Sequence, residues 1–210
     1  MGSKTGLPMT PLKQKLTIEQ GRTFRFPIRW ESEVFGYAAI SAISASAPCL
    51  VTTTQPHGIP EGWRAAVVSA RGMVEINALQ SPPADDEFRR STVRSTTQIE
   101  FNDLNSADFT AYVSGGYLQF RLPVDLTGYT ARMSVKDKIG GTVLLSLSST
   151  DGSITLDNTT KTITLKLTAT ATAAYTWKSG VYDLEVVSPT GDVFALINGA
   201  VVVVQEITTN

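Results

Sequence analysis

Tyr129-Thr130-Ala131-Arg132-Met133-Ser134-Val135-Lys136 alternates without a break: Tyr129, Ala131, Met133 and Val135 form one face, Thr130, Arg132, Ser134 and Lys136 the other. Successive side chains of a β-strand point to opposite sides of its sheet, so a period of two marks a strand with one face in a core and one in water. The same period recurs downstream. Val143, Leu145 and Leu147 alternate with their neighbours, as do Ile163, Leu165 and Leu167 against Thr162, Thr164 and Lys166, and Tyr182, Leu184 and Val186 against Asp183 and Glu185. Upstream, Phe24, Phe26, Ile28 and Trp30 face one way, and Pro27, which has no N–H to give a neighbour, places that strand at a sheet edge or makes it begin there.

The connectors are turn chemistry: residues 138–141, Thr150-Asp151-Gly152, Asp157-Asn158-Thr159 and Pro189-Thr190-Gly191-Asp192. Strands at this spacing predict an antiparallel sandwich. Residues 199–207 are Val-rich and predict a strand buried on both faces or covered by a neighbour; as an exposed edge it would invite pairing with a partner. Helix signal is confined to residues 168–177, too short and threonine-rich to stand alone, and predicts a helical turn between strands.

Between residues 34 and 120 the character changes to small residues (38–47), proline-containing loops and shorter strands at 49–54, 64–69, 73–76, 92–93 and 98–101. This predicts a compact barrel lying between two halves of one sandwich. The expected organisation is therefore an N-terminal arm at 1–11, an antiparallel β-sandwich of 12–33 and 121–210, and an inserted small β-barrel-like module at 34–120. The fold class is all-β.

Composition narrows the chemistry. The 210 residues are 42% hydrophobic and 18% charged, which is globular, and 18 Lys and Arg against 19 Asp and Glu leave a formal net charge of -1. No bulk charge draws the chain to nucleic acid. No apolar run reaches the ~18 residues that span a bilayer, and residues 1–15 lack the apolar centre of a signal peptide. Cys49 is the one cysteine and His57 the one histidine, which excludes an intrachain disulfide, multi-cysteine metal sites and sites built from several histidines. Cys49 reads as core and His57, in Gln55-Pro56-His57-Gly58-Ile59-Pro60, as a turn-lining residue. Gly115-Gly116 and Gly140-Gly141 lie between strands with no helix following, so they are turns and not phosphate cradles. Asp85-Asp86-Glu87 reads as a solvated loop, because successive carboxylates do not converge on one ion. No catalytic, cofactor-binding or metal-binding residues are expected, and no cofactor.

Leu16-Thr17-Ile18-Glu19-Gln20-Gly21-Arg22-Thr23-Phe24 and Pro123-Val124-Asp125-Leu126-Thr127-Gly128-Tyr129-Thr130-Ala131-Arg132-Met133 resemble the N-terminal Ig-like domain of baseplate upper proteins and tail-fibre adaptors of tailed bacteriophages. The resemblance continues, in the family's order, through Gly152-Ser153-Ile154, Ile163-Thr164-Leu165, Gly180-Val181-Tyr182-Asp183-Leu184-Glu185-Val186 and Gly199-Ala200-Val201-Val202-Val203. A simple member joins the positions of Trp30 and Asp125 by a short turn; here a long insertion separates them. Within it, His57-Gly58-Ile59-Pro60-Glu61-Gly62-Trp63, Gly72-Met73-Val74-Glu75-Ile76-Asn77, Thr97-Gln98-Ile99-Glu100-Phe101 and Tyr112-Val113-Ser114-Gly115-Gly116 look similar to a small β module of phage virion proteins.

The resemblance implies a virion structural protein of the tail or baseplate, an adaptor that docks tail fibres or tailspikes onto the tail. It implies other tail proteins (fibre, tailspike or ring protein) as partners, a homo-oligomer within a ring or trimeric attachment, no nucleic acid and no membrane, and assembly in the bacterial cytoplasm. Alternatives are a capsid decoration or head-fibre protein and a host-glycan-binding module; an enzyme such as a depolymerase needs a catalytic constellation that the sequence does not display. Candidate docking contacts are Trp63, Phe88, Tyr112 and Tyr117, in or beside loops of the insert, with core aromatics of the barrel as the alternative reading. Residues 1–15, with Lys4, Lys13 and Lys15 and no acid, are either an arm that orders on a neighbour or a loose end.

Overall fold

The computed structural model describes residues 10–207; residues 1–9, most of the expected arm, lie outside the described residues, as do 208–210. In chain order the strands are β1 (Leu12–Lys13), β2 (Leu16–Glu19), β3 (Phe24–Arg29), β4 (Glu31–Ile43), β5 (Cys49–Thr53), β6 (Arg64–Val68), β7 (Arg89–Ser95), β8 (Gln98–Phe101) and β9 (Tyr117–Pro123). There follow β10 (Thr130–Lys136), β11 (Val143–Ser148), β12 (Ile154–Asp157), β13 (Thr162–Leu167), the short helix α1 (Ala169–Ala173), β14 (Ser179–Val187) and β15 (Val193–Val204). The protein is an all-β sandwich into which a barrel is inserted. Residues 10–30 with 124–207 form one compact unit and Glu31–Pro123 the other. The division falls a few residues from the sequence boundaries because β4 starts at Glu31 and β9 runs to Pro123, where the two strands are paired.

In the first unit, one sheet has the order β1-β15-β14-β10-β11, with β2 also on β15, and the second has the order β12-β13-β3. Only β1 and β2 run parallel to their neighbour; the other pairs are antiparallel. This is the immunoglobulin arrangement, with the first strand transferred to the sheet of the last. The inward set of β10, Ala131, Met133 and Val135, is buried with Ile163, Leu165, Leu184 and Val201 in a single cluster. Fully burying one such side chain stabilises by about 1.5–3 kcal/mol, so this cluster is what holds the two sheets together. On the outer face, Arg132 lies directly across from Glu185 and bonds it at 2.7 Å.

Asp125-Leu126-Thr127-Gly128 has a local reason for its residues. The Asp125 carboxylate accepts from Thr127 N and Oγ1 at 3.1 and 2.8 Å, an Asx turn that launches β10. The Thr127 bonds hold this carboxyl below the usual aspartate range. The predicted helical turn is α1, capped by Thr168 Oγ1, which accepts from Ala171 N. β15 starts earlier than the Val-rich run suggests, at Val193, and Gly199 lies within it. A Cβ there would stand 2.4 Å from the Gln14 carbonyl oxygen, so the approach of the β1 segment requires glycine.

The second unit is a closed barrel, β4-β5-β8-β7-β6-β9. β4 serves two partners: Phe35 to Ala39 pair with β9 and Ile40 to Ile43 with β5, with register shifts where it bends. Ile40, Val51, Trp63, Val67, Met73, Ile99, Phe101, Leu118 and Phe120 fill the interior. Residues 73–76, expected as a strand, are instead Met73 followed by a 3₁₀ turn, Val74–Ile76. Met73 enters the core alone while Val74 stays exposed, and four residues between loops suffice for this without a ladder.

Candidate functional site

The four predicted contact residues divide. Trp63 is 0% exposed and donates its Nε1–H to the Arg121 carbonyl at 2.7 Å; it is a core residue of the barrel and, as a docking anchor, is corrected. Phe88 is buried too, stacked on Phe35 with ring centres 6.0 Å apart, while the Arg121 guanidinium lies 5.0 Å over the Phe35 ring. Tyr112 is half-buried, its hydroxyl within reach of the Ile40 and Gly115 carbonyls at 3.1 and 2.9 Å, and burial raises its phenol. Tyr117 alone is exposed, at 47%.

Tyr117 has a neighbour that sequence reading missed. Tyr37, 59% exposed, meets it edge-to-face at 6.3 Å. Register explains the meeting. Tyr37, Gln119 and Ala66 stand side by side across β4, β9 and β6, and Ala39, Tyr117 and Val68 form the next row. These rows are the outer face of the barrel, since Leu118 and Phe120 between them point into the core. Residues 78–81 cross over this face and enclose a groove of about 390 Å³, lined by Tyr37, Val68, Ser69, Ala78, Leu79, Gln80, Ser81, Tyr117 and Gln119.

The covering loop is held at its start from two directions. Asn77 pairs its side-chain amide with Ala70, accepting from N at 2.8 Å and donating to O at 2.9 Å, and Ala78 N donates to Val67 O at 2.8 Å. From beyond the loop, the Glu87 carboxylate accepts from Ala84 N at 2.7 Å and from Leu79 N, which holds its carboxyl below the usual glutamate range. Thus the acidic cluster Asp85–Glu87, a 3₁₀ turn, is an anchor of this loop. Leu79 is left 96% exposed at the groove's rim.

The remaining singled-out residues are engaged internally. His57 is buried; its Nδ1 accepts from Ile59 N at 2.9 Å, so Nε2–H donates to the Ser95 carbonyl at 3.0 Å. Cys49 is fully buried, its thiol reaching Ser44 O at 3.6 Å, and desolvation raises its pKa. Among the described residues no three His, Cys, Asp or Glu side chains are placed to hold a metal ion, and no helix is long and apolar enough to cross a membrane.

The sandwich offers a further feature, its edges. Lys166 N donates to Ser153 O, so alternate residues of β13 face β12, and the others face Phe24, Phe26 and Ile28. Arg25, Pro27 and Arg29 therefore face outward on β3, an edge marked by a proline and two charges. β11 differs: Val143-Leu144-Leu145-Ser146-Leu147-Ser148 has no charge and no proline. Ser149 N donates to Ala131 O, so Leu145 and Leu147 face β10, and Leu144, Ser146 and Ser148 turn their backbone outward. Ser153 Oγ occupies the outward groups of Ser148, at 2.9 and 3.3 Å, leaving Leu144 and Ser146, among the described residues, as a short open edge. No protein-family model and no curated protein matches the chain.

Proposed function

We propose that the protein is a structural component of a tailed-bacteriophage virion, an adaptor of the tail or baseplate onto which a tail fibre or tailspike docks. The observation that carries this reading is an Ig-type sandwich interrupted, just ahead of the Asp125 turn and β10, by a barrel with its own core. Two units on one chain suit a part that joins neighbours, since each can present a separate surface. The resemblance of residues 16–24 and 123–133 to adaptor domains supports the same reading. The uncharged edge of β11 is suited to accept an extended strand from an adjoining tail protein or a second copy of the chain. The near-zero formal charge fits protein partners better than nucleic acid. The reading assigns no reaction to the chain.

Mass spectrometry of purified particles, separated into capsid and tail fractions, tests it. The expected result is enrichment in the tail fraction, at a copy number that matches a ring or trimeric attachment. Enrichment in the capsid fraction overturns the tail assignment in favour of decoration, and absence from both fractions overturns the virion reading.

A further inference from the structure

We propose that the groove on the outer face of the barrel, between Tyr37, Tyr117 and the loop 78–81, is a binding site for a neutral saccharide. The inference starts from Gln119. This residue is 4% exposed, yet its side-chain amide has no hydrogen-bond partner among the described residues, and it lines the groove. With no protein partner, the amide directs its hydrogen bonds into the groove, where water or a ligand completes them. The amide sits in the floor between Tyr37 and Ala66, directly in register with both.

The lining fixes the ligand's chemistry. Among the described residues no Asp, Glu, Lys or Arg lines the groove, so nothing there offsets the desolvation of an ion. The polar groups are the amides of Gln80 and Gln119 and the hydroxyls of Ser69 and Ser81. Each of these both donates and accepts, as the hydroxyl groups of a sugar do. The apolar contribution comes from the exposed Tyr37 and Tyr117 rings, whose negative faces attract the C–H edges of a pyranose. A few orienting polar groups around aromatic walls, in about 390 Å³, match the lower part of the ~300–1,000 Å³ range of small-ligand sites. A polyproline peptide, the other neutral occupant of tyrosine grooves, presents only carbonyl acceptors and needs a longer track. Because Asn77 and Glu87 tie the loop down, the wall is formed before a ligand arrives. The site belongs to the barrel alone and does not depend on the virion reading.

The test titrates the full chain with maltose, cellobiose, lactose and N,N′-diacetylchitobiose, following backbone amide resonances. The expected result is a saturable shift of Ser69, Leu79 and Gln119 with at least one of these sugars. Binding should weaken about tenfold in Tyr117→Ala, the scale of one lost aromatic contact, with sandwich resonances unmoved. Gln119→Leu separates a ligand group from a structural one. With its amide replaced by an apolar side chain of similar size, the variant should keep its cooperative melt and lose saccharide binding. Should Tyr117→Ala not fold, Tyr37→Ala carries the same expectation. The absence of a saturable shift with all four sugars, binding of a proline-rich peptide at these residues instead, or unchanged saccharide binding in a folded Gln119→Leu each overturns the proposal.

Discussion

Tyr182 shows how one side chain couples the fold to pH. Its hydroxyl donates to the Gln14 carbonyl at 2.7 Å, fastening the β1 segment to β14, and the residue is buried. Desolvation pushes its phenol from 10.0 up to about 12. In the unfolded chain the phenol ionises above its ordinary value, whereas in the folded chain it resists until the raised one. Its contribution is therefore complete below pH 10 and lost as pH rises from 10 towards 12, a swing of about 3 kcal/mol at ~1.4 kcal/mol per unit. Tyr182→Phe should start less stable, having lost a hydrogen bond of about 1 kcal/mol, and lose less stability across that alkaline window. Urea midpoints for both proteins over the window check this; parallel curves would mean that Tyr182 ionises freely in the fold.

At the scale of elements, β10 tests whether the alternation decides the inward face. Val135→Asp places a carboxylate where exposure is nil and should abolish soluble folding. Thr130→Asp, on the exposed side of the same strand, should change stability by about 0.5 kcal/mol or less. Soluble expression and thermal melts of the pair check the register, and equal behaviour would refute it. That register was legible because β10 has a sheet on each side of its fate: core inward, water outward. β4 was not legible. Its length is shared between two partners, its bends shift the alternation, and its small residues, among them Gly36, Ala38 and Ala39, carry little hydrophobic signal. Residues 73–76 misled for the opposite reason, because one buried Met beside apolar Val74 and Ile76 imitates a strand. The groove was half legible: Tyr117 stood out as an aromatic beside a glycine turn. Tyr37 and Gln119 reach it only through the β4–β9 pairing, a non-local register that no local period encodes.

At the scale of the whole molecule, each unit contains what a domain needs to fold. The barrel is closed, so it has no unpaired edge, and its interior cluster is drawn from its own residues. Its two ends meet, Glu31 paired with Pro123. In the sandwich unit, Val124 N donates to Trp30 O at 3.1 Å, so the ends left by removing the barrel are already adjacent. Both units exceed by a wide margin the ~40 residues below which a single core needs disulfides or metals. Residues 31–123 expressed alone should therefore unfold cooperatively, and so should the chain in which a two-residue Asn-Gly link joins Trp30 to Val124. Calorimetry on the two pieces and on the intact protein checks both. A cooperative transition in each piece means that the barrel was accepted into a finished sandwich as a self-sufficient insert, free to acquire a surface of its own such as the Tyr37–Tyr117 groove. A barrel piece without a transition would mean instead that its core borrows stability from the sandwich, and the account of two self-sufficient units would fall.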